Sequence, residues 1–227
     1  MNCAEILFLL ALDGERGVIR PEMERTLNYA LAGAILMELA LQNRIDTDLT
    51  CIRHNPQAET SDPFLLRVVD KRPTGDILLD EALKELQHKS GPRPTRAWLV
   101  YFAREGRDIR DRVTARLANA KILDITETKI LMLKKRRYSI TDSSGITTIR
   151  SRLRELILDG EIPEPREVAL AGLADASGLF DEIFSPEELA QTRPRILSLC
   201  KLDLIGQAMA GIIREVKHSI STEAHPG

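Results

Sequence analysis

Pro73-Thr74-Gly75-Asp76-Ile77-Leu78-Leu79-Asp80-Glu81-Ala82-Leu83 packs a turn, a helix cap and an amphipathic start into eleven residues. Pro73 and Gly75 break the strand-like run before them, and Asp76 is placed to accept hydrogen bonds from the freed N–H groups of a new helix. Asp80 and Glu81 fall where the helix dipole favours negative charge. Leu79, Ala82, Leu83 and Leu86 then recur on one face, which predicts a helix over 77–88 with its apolar side on a core.

Upstream, residues 26–43 are apolar almost all round, broken by Glu38, the pattern of a helix buried inside a bundle. Ile6 to Leu12 reads as a first buried helix: Glu5 precedes it, and it has neither the basic start nor the cleavage pattern of a signal peptide. Pro56, Pro63 and the run Phe64 to Val69 predict a loop and a short strand, and Ser90 to Pro94 a rigid connector. Arg96 to Ala103 is helical and holds the only tryptophan, Trp98. Ile109, Val113, Leu117 and Ala120 form one stripe on a helix over 107–120, which leaves Arg107 and Arg110 together on another face. Ile122 to Ile125 and Ile130 to Leu133 flank Glu127-Thr128-Lys129 as a β-hairpin. Helices follow over 148–158, 165–179, 185–199 and 201–216, with Ser185-Pro186-Glu187-Glu188 a capping box and the tail from Lys217 frayed. The expected fold is mainly α: a single helical domain over 1–227 around a central buried helix, with a hairpin projecting near 122–140.

The 227 residues are 43% hydrophobic and only 4% aromatic, so the core must be built from Leu, Ile, Ala and Val. Net charge is −2, yet Lys134-Lys135-Arg136-Arg137 concentrates four positive charges, which puts any anionic partner there. Three well-separated cysteines, Cys3, Cys51 and Cys200, without C-x-x-C spacing, fit inert thiols in a reducing compartment. No apolar stretch approaches the ~20 residues that span a bilayer, so membrane association would be at the surface.

Signatures of catalysis are missing: no G-x-S-x-G, no P-loop, no dinucleotide fingerprint and no H-E-x-x-H. His54, His88, His218 and His225 lie too far apart for a local metal motif, and no cofactor is expected. Ser198 to Lys201 matches S-x-x-K but lacks its companion segments. Glu38, Asp76 and Asp80 have simpler roles as ion-pair partner, cap and dipole match.

The eleven-residue stretch, together with Ala30-Leu31-Ala32-Gly33-Ala34-Ile35-Leu36-Met37-Glu38-Leu39-Ala40-Leu41 and Leu173-Ala174-Asp175-Ala176-Ser177 followed by Phe180 and Phe184, resembles the Golgi phosphoprotein 3 family from about Glu5 to about Gly211. The resemblance implies a non-catalytic peripheral membrane adaptor on the cytosolic face of a membrane, which reads phosphoinositides and binds cytosolic tails of membrane enzymes. It places Arg107 and Arg110 on two basic residues that hold the lipid headgroup. Ile130, Leu131, Met132 and Leu133 fall on a hairpin tip that inserts into the bilayer, with Lys134 to Arg137 behind it.

Two family pocket residues, a tryptophan and a further arginine, correspond here to Met23 and Ala32. With no basic tail ahead of the domain, a domain-only, bacterial-type relative is expected. One copy would bind marginally, so stable attachment needs a specific headgroup, a protein partner or a homo-oligomer. Two other function classes stay open on pattern. Helix 107–120, the hairpin and the basic run could form a winged helix on nucleic acid, against which stand a pI near 6.1 and the apolar tip. A pure protein–protein adaptor would use the hairpin to dock a partner.

Overall fold

The structure is a computed structural model that describes residues 1–13, 16–48, 65–89, 91, 93–130, 133–201 and 204–224. Its organising element is α2 (Pro21–Leu41), which starts five residues before the predicted 26 because Pro21 sits at the first helical position and Glu22 and Glu24 suit the first turn. Every residue from Ala30 to Leu39 is buried. Helices pack against α2 on all sides: α1 (Cys3–Leu10), α3 (Ile77–His88), α4 (Thr95–Arg104), α5 (Gly106–Asn119), α7 (Pro165–Ser177) and α9 (Leu204–Ala224). Ala30, Ala32, Gly33 and Ala34 let these neighbours approach closely; a Cβ on Gly33 would stand 2.8 Å from Leu173 Cδ2. Glu38, 1% exposed in this apolar setting, accepts from the Cys3 N–H at 2.8 Å and from Arg166 at 2.9 Å. This satisfies the expected ion pair and holds α1 and α7 to the centre.

The Pro73–Leu83 stretch folds as its chemistry demands. Gly75 takes φ +86°, and the Asp76 carboxylate accepts the N–H groups of Leu78 at 3.0 Å and Leu79 at 3.4 Å. Asp80 accepts the Thr74 N–H at 2.6 Å and its hydroxyl at 2.7 Å. Desolvation works to raise the Asp80 pKa, but these hydrogen bonds outweigh it and hold it below the usual carboxylate range. Helix α3 then buries Leu79, Ala82, Leu83 and Leu86, as predicted.

Ahead of it, β1 (Ile45–Asp48), β2 (Leu65–Val68) and β3 (Arg93–Pro94) make a small antiparallel sheet in the order β1-β2-β3. The predicted strand is there, but Arg93 and Pro94 pair with Leu66 and Leu65 where a mere connector was expected. Pro94 is tolerated because β3 is an edge. Cys51, His54, Pro56, Pro63 and Phe64 lie outside the described residues.

The α5 stripe is Ile109, Val113 and Leu117; Ala120 is exposed and caps the helix end. The hairpin comprises β4 (Leu123–Ile130) and β5 (Leu133–Ile140), closed by the pair Ile130↔Leu133. Glu127, Thr128 and Lys129, expected as its turn, are strand residues opposite Arg136, Lys135 and Lys134. A two-stranded ribbon keeps most of its side chains in water, so polar residues can continue it.

Beyond it, α6 (Ser144–Arg154) runs into a π-helical segment, Glu155–Asp159, ended by Gly160 at φ +74°. Helix α7 stops at Gly178, φ +81°, two residues short of the expected end, and α8 (Pro186–Leu199) carries both capping-box bonds of Ser185 and Glu188. Helix α9 continues to Ala224, so the stretch from Lys217 to Ala224, expected to be frayed, is helical. The fold is mainly α. Among the described residues no helix is long and apolar enough to cross a membrane.

Candidate functional site

Arg107 is exposed on α5 while Arg110, one turn on, is largely covered, and the helix is fixed by Ile109, Val113 and Leu117 in the core. Asp108 and Asp111 look able to neutralise them, but each is engaged elsewhere. Asp108 accepts from Arg112 Nε at 2.8 Å, and Asp111 pairs with Arg136 of β5. Arg107 is exposed and has no ion-pair partner among the described residues. The Arg110 side chain is 14% exposed, and its nearest carboxylate, Glu24 of α2, is 3.8 Å away, at the outer limit of an ion pair. Arg112 pairs with Glu81, and Arg116 reaches Glu5 at 2.9 Å and Asp76 at 2.5 Å, so the next two arginines of α5 tie it to α1 and α3.

The hairpin base adjoins this face. Arg136 bonds Glu127 at 2.8 Å and Asp111, and both carboxylates raise its pKa. Half-buried Tyr138 has its pKa raised by burial, opposed by the charges of Arg136 and Arg110, so α5 and β5 bring two guanidinium groups to one phenol. The basic run is therefore not a uniform pad. It is a strand whose side chains alternate, Arg136 toward α5 and Arg137 toward the other face. Lys134 and Lys135 pair in backbone register with Lys129 and Thr128, as Ile130 does with Leu133. Leu131 and Met132, the expected centre of the wedge, lie outside the described residues.

Met23 is partly buried against the core, and Ala32 is 0% exposed. Neither offers a hydrogen-bonding group like the tryptophan and arginine that the family resemblance puts at these positions.

Elsewhere the chemistry is muted. Cys3 and Cys200 are buried, and burial first, with Glu38 and Asp175 respectively, pushes each thiol pKa up and away from the reactive thiolate. His88 and His218 are exposed, while His225 lies outside the described residues. The Ser198 hydroxyl donates to the Pro194 carbonyl at 2.9 Å, an ordinary back-bond within α8. Among the described residues no group of three metal-ligating side chains gathers.

Residues 3–216 match the family model of Golgi phosphoprotein 3. A curated relative, vacuolar protein sorting-associated protein 74 of Eremothecium gossypii, is 27% identical over 211 residues, which cover 88% of this chain and 57% of the relative. The chain thus spans under two thirds of that relative's length. With the match running from the first turn of α1 into α9, the chain belongs to the Golgi phosphoprotein 3 family.

Proposed function

We propose that this chain is a non-catalytic adaptor held peripherally on the cytosolic face of a membrane, drawn to anionic lipid by Arg107 and Arg110. The end of the hairpin, Ile130 to Leu133, enters the bilayer, and the run Lys134 to Arg137, in which Arg136 is already held by Glu127 and Asp111, lies next to its charged surface. The observation that carries this reading is the α5 face itself: exposed Arg107 has no partner among the described residues, and the neighbouring Asp108 and Asp111 are committed to Arg112 and Arg136. Each cation near an anionic surface contributes ~1 kcal/mol. With Met23 and Ala32 in place of the further pocket residues, attraction to negative lipid in general dominates over selection of one headgroup. A vesicle-bound adaptor of this kind would be strengthened by a second contact, either the cytosolic tail of a membrane enzyme or another copy of the chain. Nucleic acid is the weaker alternative, because Arg136 of the basic run is already neutralised by Glu127 and Asp111.

Arg107→Ala/Arg110→Ala should weaken partition onto phosphatidylserine vesicles about thirtyfold, two cations at ~1 kcal/mol each. The melting midpoint should move little, since Arg107 is exposed and the Arg110–Glu24 pair is long. Co-sedimentation of the folded double variant measures this. Partition equal to the native protein would remove Arg107 and Arg110 from the site.

A further inference from the structure

We propose a second anion site, for a phosphate monoester, in the cleft at the outer edge of β5, built by Arg16, Arg137 and Arg150. The cleft measures about 510 Å³ and is framed by Asp13, Arg16 and Gly17, the last residues of β5 and the first two turns of α6. Its position is fixed by the backbone. Gly17, at φ +63°, accepts the Tyr138 N–H at 2.6 Å, and a Cβ on Gly17 would stand 2.1 Å from the Tyr138 carbonyl oxygen. Gly17 is therefore clipped to the strand edge, and only glycine allows it. Leu12 and Ile146, 4% and 5% exposed, close the floor.

Three arginines from segments far apart in the chain line this space, and none forms an ion pair among the described residues. Arg137 Nε donates to the Arg16 carbonyl at 3.1 Å, which anchors the side chain and leaves its terminal nitrogens without a partner among the described residues. Arg150 Nε is buried without a hydrogen-bond partner. Buried donors are rarely left so in folded proteins, and Arg150 is one of the residues that line the cleft. Among the described residues of the lining the one carboxylate is Asp13, which accepts the Arg16 N–H at 2.9 Å. Three positive charges and one negative leave a net +2 among the described lining residues. The guanidinium fork matches phosphate oxygens in pairs, and the hydroxyls of Ser143 and Thr147 add donors. A dianionic phosphate monoester fits both the charge and the donor count. Neither Arg107 nor Arg110 lines the cleft, so the site is distinct from that pair, while Arg137 also belongs to the basic run proposed above to face the membrane.

Such a group could be carried by a lipid or by a soluble molecule, and the test separates the two. Calorimetric titration of the full chain with glycerol 3-phosphate should give saturable one-site binding, weakened about tenfold or more by Arg150→Gln and by Arg16→Gln, each removing a charge-assisted hydrogen bond. Arg107→Gln/Arg110→Gln should leave it unchanged. Co-sedimentation with phosphatidylcholine vesicles containing phosphatidic acid, a lipid phosphate monoester, is compared with vesicles containing phosphatidylserine. A preference for phosphatidic acid lost in the same two variants assigns the site to a membrane headgroup; titration without that preference assigns it to a soluble ligand. Should Arg150→Gln fail to fold, exposed Arg16 decides. The proposal is overturned if the native chain shows neither saturable titration nor a phosphatidic acid preference, if Arg16→Gln binds like the native chain, or if the Arg107/Arg110 variant abolishes the titration.

Discussion

Phe8→Ala should destabilise the protein by ~3–5 kcal/mol, the cost of deleting a fully buried aromatic side chain from a close-packed core. Phe8 is 0% exposed, and its ring meets that of Tyr138 edge-on, with centroids 5.3 Å apart and planes at 85°. It is the aromatic contact by which α1 holds the base of β5, so the variant loses an edge-to-face pair along with the packing. Domains are stable by only about 5–15 kcal/mol, so the loss is a large share of the total. For a chain of this size the melting midpoint should fall by roughly 6–20 °C. Urea unfolding monitored by far-ultraviolet circular dichroism measures it. A loss below ~1 kcal/mol would mean that α1 is not packed against the hairpin base.

Gly33→Leu tests the centre of the bundle from the opposite direction. Here the side chain is added, and its first carbon would already stand 2.8 Å from Leu173 Cδ2 and 3.7 Å from both Leu99 Cδ1 and Met209 Sδ. Three helices, α7, α4 and α9, therefore have to move or distort to accept it. Overpacking of this kind costs ~1–3 kcal/mol, or roughly 2–12 °C in the melting midpoint. Gly33→Ala should fall at the low end, because Leu173 is a flexible side chain and not backbone. An unchanged midpoint for Gly33→Leu would contradict the placement of α2.

What could be read from the sequence was what neighbouring residues decide among themselves. Helix α3 was legible because Gly75 and Asp76 supply its turn and cap within a few residues, and α8 because Ser185 and Glu188 cap one another. The buried span of α2 was legible as an apolar run broken only by Glu38. Illegible features depended on distant partners. Arg93 and Pro94 became a strand only because Leu65 and Leu66 lie alongside, and the polar Glu127–Lys129 stayed in β4 because β5 offered partners across the ribbon. The π-helical Glu155–Asp159 and the helical continuation to Ala224 have no local marker in the sequence.

The same division runs through the surface. The shared face of Arg107 and Arg110 follows from helical spacing, whereas the commitment of Asp111 to Arg136 needed the fold. A charge run also conceals its own alternation: Arg136 and Arg137 are adjacent in sequence yet serve Asp111 of α5 and the Arg16 carbonyl respectively. The arginine cleft was invisible for a plainer reason, since Arg16, Arg137 and Arg150 belong to three separate elements that only the folded chain assembles.

Membrane attachment by charge and an apolar wedge together is tested most directly by flotation of the native chain with phosphatidylserine and phosphatidylcholine vesicles over a salt series. Screening weakens exposed charge and hardly touches apolar burial, so the two contributions separate. The native chain should float with the anionic vesicles, less so as salt rises, with a salt-resistant remainder that Leu131→Ser/Leu133→Ser removes. Replacing Lys134 to Arg137 with Gln should instead remove the salt-sensitive part. If the native chain stays with the dense fraction beside anionic vesicles while Leu131→Ser/Leu133→Ser unfolds, those leucines belong to the core, and a protein–protein adaptor replaces the membrane-bound one.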